Sequence, residues 1–145
     1  MLWLIALVLI GVGVFLAAIS LRKDEPSPSL SDVERITEEE LAERYGIRVT
    51  LVGVTAGGGM VDFRFEVLDA EKARQINAQP ENLPVLIVPE TDTYIPAPPE
   101  MLRNMELQEG LVYYILYGNP GGLIRPGTVV SVMFIDVILE GLVAQ

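Results

Sequence analysis

Apolar and polar positions change rhythm along the chain, and each change marks an element. From Met1 to Leu21 the run MLWLIALVLIGVGVFLAAISL carries no charged side chain. A helix of that length spans roughly 30 Å, the thickness of a bilayer's hydrocarbon core, so a transmembrane anchor is expected over 1–21. The next stretch, expected as a linker over 22–36, begins RKDEPSPSLS, charged and then rich in Pro and Ser. Such composition has no apolar face to bury. Beyond it, Thr37 with Glu40 three residues later forms a capping box, and Gly46 is placed as a helix stop. A short amphipathic helix is predicted from Glu38 to Tyr45, with a start as early as Asp32 left open.

From Ile47 the period drops to two. Ile47, Val49 and Leu51 alternate with Arg48, Thr50 and Val52, Ala56-Gly57-Gly58-Gly59 turns the chain, and Met60 to Leu68 runs back. Val61, Phe63, Phe65 and Val67 share one face of the returning strand, and Asp62, Arg64 and Glu66 share the other, which predicts a half-buried antiparallel hairpin. Asp69 caps a short helical or irregular stretch. Pro84 and Pro89 bracket a strand over Val85 to Val88, expected to be short or at an edge. Tyr94-Ile95 makes a brief return before Pro96, Pro98 and Pro99. Leu111 to Tyr117 is apolar on both faces, Thr128 to Ile135 reads as a strand buried on both sides, and Val137 to Val143 closes the domain with a bulge at Gly141.

About seven short strands with turns at intervals of roughly 10 residues predict an all-β fold over 37–145, an immunoglobulin-like antiparallel β-sandwich, with a small closed barrel as second choice. The run GIRVTLVGVTAGGGMVDFRFEVLDAEKA, then PVLIV and YYILYGNPGGLIRPGTVVSV, resembles a family of uncharacterised bacterial proteins with an N-terminal hydrophobic segment and a small β domain. The likeness covers Gly46 to the last residue apart from the middle loop. It rests on turn and core residues, so it implies a fold and carries over no catalytic residue.

Composition narrows the chemistry. Among 145 residues, 20 acidic against 10 basic side chains give a net charge of -10, which disfavours nucleic acid and anionic surfaces as partners. The chain has no cysteine and no histidine. That removes Cys and His nucleophile dyads, the usual zinc ligands and the commonest general base. No cofactor or metal is expected, and no catalytic residue is assigned.

Several tempting motifs have plainer readings. Gly57-Gly58-Gly59 lacks the GK[ST] of a phosphate loop and suits a turn. Glu38-Glu39-Glu40 suits a solvated first helical turn. Glu90-Thr91-Asp92-Thr93 offers oxygen ligands but not the spacing of an EF-hand loop. Met101 and Met105 suggest packing more than a copper site. Tyr113, Tyr114 and Tyr117 could form a binding strip, but core packing and sheet-face pairing are the better account of them. Asp62 and Glu66 share a face about 13 Å apart, too far for concerted acid and base work, with Arg64 between them.

The expected function is therefore a non-enzymatic, membrane-anchored binding or assembly module of the bacterial cell envelope. It would contact the lipid bilayer through 1–21 and a protein partner through a sheet face or the loop bearing Tyr94, Pro96, Pro98 and Pro99. The alternative is an accessory subunit of a membrane complex with its β domain in the cytoplasm, and an acid-dependent hydrolase comes last. Arg22 and Lys23 follow the apolar segment and favour the cytoplasmic side, whereas anchor, linker and small β domain is a common layout for an exported one. Ala18-Ile19-Ser20 leaves signal-peptide cleavage open.

Overall fold

A computed structural model describes residues 30–145; the expected anchor over 1–21, and the expected linker as far as residue 29, lie outside the described residues. No helix among the described residues is long and apolar enough to cross a membrane. Leu30–Asp32 forms a 3-10 turn, and Val33–Gln145 forms a separate compact unit. In order, that unit contains β1 (Glu34–Ile36), α1 (Glu38–Tyr45), β2 (Ile47–Thr55), β3 (Met60–Val67), α2 (Ala70–Ala73), β4 (Val85–Val88), β5 (Thr93–Pro96), β6 (Val112–Gly118), β7 (Val129–Phe134) and β8 (Val137–Val143).

The unit is mostly β, with eight strands in two sheets. One sheet runs β1-β8-β7-β4-β5 and the other β2-β3-β6. Hairpin-type neighbours pair antiparallel, but β1 lies parallel to β8, Glu34 opposite Val137 and Ile36 opposite Leu139. The wholly antiparallel expectation is corrected at this pair. Most of the unit lies between β1 and β8 in sequence, so no tight turn dictates their relative direction. Glu34–Ile36 also falls inside the stretch expected as linker, because a strand of three residues is too short to show a period.

Local signals set the first elements. Thr37 caps α1 by accepting from the Glu40 N–H, while the Glu40 carboxylate accepts from the Thr37 N–H and sits below its usual carboxylate range for that reason. Gly46 ends α1 at φ 64°, and a Cβ there would stand 2.5 Å from the Asp69 carbonyl oxygen. The Gly46 carbonyl accepts from both Leu68 and Asp69, so this glycine joins α1 to the far end of the β2–β3 hairpin.

The core lies between the sheets. Val61, Phe63, Phe65 and Val67 of β3 all point into it and are fully buried, as their alternation predicts. Phe63 is its centre, with ring centroids 6.2 Å from Phe65, 6.3 Å from Tyr117 and 6.2 Å from Phe134 of the opposite sheet. β7 contributes the buried run Val130 to Val132, and an extra residue near Gly141 bulges β8 against it. The alternation of β2 breaks at a second bulge, between Val49 and Leu51. Ile47 and Val49 face Val67 and Phe65 as expected, but Val52 replaces Leu51 opposite Phe63. One inserted residue reverses every later side chain.

Phe63→Ala should destabilise the unit by about 3–5 kcal/mol, because the cavity opens where both sheets meet. Urea unfolding followed by circular dichroism would measure it. A loss below about 1 kcal/mol would mean that Phe63 is not the packing centre.

Candidate functional site

β6 presents the feature most open to a partner. In an antiparallel ladder, residues that exchange hydrogen bonds alternate with residues that do not. Val67 N–H donates to the Leu111 carbonyl at one end of the β3–β6 ladder, and Asn119 N–H to the Gly59 carbonyl at the other. With Glu66 opposite Val112 and Met60 opposite Gly118, the alternation turns the peptide groups of Tyr113, Ile115 and Tyr117 toward β3. Those of Val112, Tyr114, Leu116 and Gly118 face the other way. Among the described residues β6 pairs with β3 alone, so these four make an open edge.

The side chains beside that edge are exposed as well. Leu111, Val112 and Tyr114 keep 49%, 55% and 58% of their surface in water. Each of the other sheet edges has a device that discourages pairing. β1 has three residues, and β5 has four and ends in Pro96. β2 is bulged, and Gln145 covers its outer side by donating to the Val52 carbonyl and accepting from Val54 N–H. β6 has seven residues, no charge, no proline and no register shift.

The residues expected to bind a partner are only partly gathered. Tyr94 and Pro96 project from the same face of β5, both exposed, and partial loss of hydration together with the neighbouring Asp92 carboxylate pushes the Tyr94 phenol up. Pro98 is half-buried beyond the strand end, where its carbonyl accepts from Met101 N–H. Pro99 lines a separate hollow with Asn77, Leu83, Met101 and Arg103. The stretch after Pro96 is a series of turns rather than a helix, so Met101 packs on the core while Met105 is exposed.

The tyrosines do not form one strip. Tyr113 stacks on Phe65, Tyr117 is buried with its hydroxyl donating to the Pro84 carbonyl, and Tyr114 projects from the opposite face. The outer acids are neutralised in place. Arg64 holds Asp62 at 2.6 Å and Arg48 bonds Glu66.

Cavities and ligand clusters add little chemistry. A hollow of about 640 Å³ lies between Gly57–Gly59 and Gly121–Gly122, beside Arg125. Gly57 and Gly58 stand at φ 64° and 93°, as a turn requires. Asn119 clasps the two turns from within, its amide donating to Gly58 and Ile124 carbonyls and accepting from Ile124 N–H. Nothing in the sequence pattern marked Asn119 as buried. No group of three or more His, Cys, Asp or Glu able to hold a metal occurs among the described residues. Thr91 and Thr93 of the acidic turn bond each other's hydroxyls.

With this geometry in view, comparison with family models, curated proteins and solved structures found no match for the chain.

Two tyrosines make stability depend on alkaline pH, and one of them sits in a polar cluster. Tyr45 donates to the Asp136 carboxylate, and Arg44 bonds Glu34 at 2.7 Å and Asp136 at 3.3 Å. Burial, then the Asp136 bond, pushes the Tyr45 phenol up to about 12, and burial raises Tyr117 as well. An unfolded tyrosine ionises near pH 10. The folded chain therefore holds more protons above that pH, and stability falls as pH rises. The Tyr45 contribution should be fully present below about pH 10 and on the order of 2 kcal/mol weaker by about pH 12, and the Tyr117 loss over the same window adds to it. Urea midpoints at pH 9 and 11.5 should show the fall, and Tyr45→Phe should flatten part of it. A midpoint independent of pH across this window would contradict the assignment.

Proposed function

We propose that this chain is a membrane-anchored protein whose immunoglobulin-like β-sandwich serves as a binding or assembly module in a bacterial cell envelope. Residues 1–21 are the bilayer anchor and the Pro/Ser-rich stretch after them is the spacer. The open, uncharged edge of β6 is the single observation that carries the reading. An extended segment added there gains main-chain hydrogen bonds from Val112, Tyr114, Leu116 and Gly118, and side-chain contacts with Val112 and Tyr114. The reading is of a non-enzyme, since Asp62 and Glu66, the carboxylates that alternation puts on one face, are occupied by Arg64 and Arg48. Arg22 and Lys23 favour a second arrangement, the same module held on the cytoplasmic side as part of a larger complex.

Two measurements test this. A benzoylphenylalanine in place of Tyr114 should give at least ten times more photo-adduct in membranes of producing cells than one in place of Tyr94. Equal yields would remove β6 as the docking edge. A tag placed after Gln145 should be digested by protease added to intact spheroplasts, and protection until lysis would move the module to the cytoplasmic face.

A further inference from the structure

Resting on the reading of β6 as a docking edge, we propose that its occupant is β6 of a second copy of this chain, joined antiparallel about a two-fold axis at Ile115. A strand of seven residues centred on Ile115 can pair along its whole length with itself. In that register Val112 stands opposite the partner's Gly118, and Tyr114 opposite the partner's Leu116, each contact occurring twice as an isologous interface demands. All four residues belong to the set whose peptide groups face away from β3, so every outward N–H and C=O finds a counterpart.

Side-chain shape fits the same register. A Cβ added at Gly118 would meet nothing within 4 Å, which leaves open space beside the glycine for the partner's Val112. Tyr114 meets the partner's Leu116, a favourable aromatic–aliphatic cross-strand pair. The two three-stranded sheets become one continuous sheet of six.

Charge selects this seam over the rest of the surface. At a net charge of -10, two copies repel each other across most approaches. β6 carries no charged residue, and the nearest charges on β3 are already paired, Asp62 with Arg64 and Glu66 with Arg48. Two acidic copies can therefore meet at β6 without burying an unpaired charge.

The size of the seam says where pairing happens. A seven-residue strand is about 23 Å long, and a strip of that length about 10 Å deep buries roughly 500 Å² over two copies. Stable interfaces bury about 1,200 Å² or more, so the pair is weak in dilute solution. Anchoring through 1–21 confines copies to one bilayer and raises their effective concentration, which turns a weak edge contact into an assembled one.

The test uses the full chain, purified with benzoylphenylalanine in place of Tyr114 and reconstituted in phosphatidylcholine vesicles. Irradiation should give a species of twice 15.9 kDa, with the linkage mapping to the partner's residues 112–118. Leu116→Pro should lower its yield at least ten-fold, since it removes an outward N–H and leaves the β3 ladder intact. Val112→Lys should do the same while keeping every peptide bond of the strand unchanged, with circular dichroism checking the fold. Absence of the doubled species, or full yield in Val112→Lys, would overturn the second copy as occupant. An adduct formed only in cell membranes with a different polypeptide, and lost in Leu116→Pro, would also overturn it while leaving β6 as a docking edge. No adduct in either setting would overturn both.

Discussion

Burial of one face of β3 is the constraint on which the rest of this structure depends. β3 is the middle strand of its sheet, paired on both sides, and Val61, Phe63, Phe65 and Val67 leave no surface in water. A side chain of that size contributes roughly 1.5–3 kcal/mol when fully buried. The opposite sheet supplies Phe134, Val130 and Val132 against it, so neither sheet keeps its apolar face without the other. The bulge in β2 follows from the same demand, because it lets Val52 and Val54 continue to face Phe63 and Val61.

Around this core, polar groups fix how the chain leaves and re-enters the sheets. Gly46 lets α1 close on the hairpin where any Cβ would strike the Asp69 carbonyl. Asn119 spends its whole side-chain amide on Gly58 and Ile124, which holds two glycine-rich turns in one arrangement despite their lack of side chains. No buried side-chain polar atom among the described residues lacks a hydrogen-bond partner. Unmet polar groups would cost about 1–3 kcal/mol each, so a core this small needs such completeness.

The same economy leaves β6 unusual. Gln145 and a bulge on β2, proline on β5 and short length on β1 and β5 close the other edges, each removing part of the row of free peptide groups that invites pairing. On β6 that row persists beside exposed apolar side chains. In an acidic chain, this neutral seam is where another strand meets the least electrostatic resistance, and the proposed docking role follows from that contrast.

The sequence by itself determined the elements whose information is local. The Thr37–Glu40 capping box, the Gly46 stop and the strict alternation of Met60 to Val67 gave α1 and β3 their positions and inward faces, because caps and periods act within a few residues. Only the tertiary structure decided what depends on partners distant in the chain. Glu34–Ile36 becomes a strand by lying parallel to β8, and the β2 bulge puts Val52 in the place alternation gave to Leu51. The same holds for the candidate site. Leu111 to Tyr117 was legible as a strand, but apolar residues on both faces are what a central strand shows too. Its place at the end of the order β2-β3-β6 made it an open edge, and sheet order is set by long-range packing that no local pattern encodes.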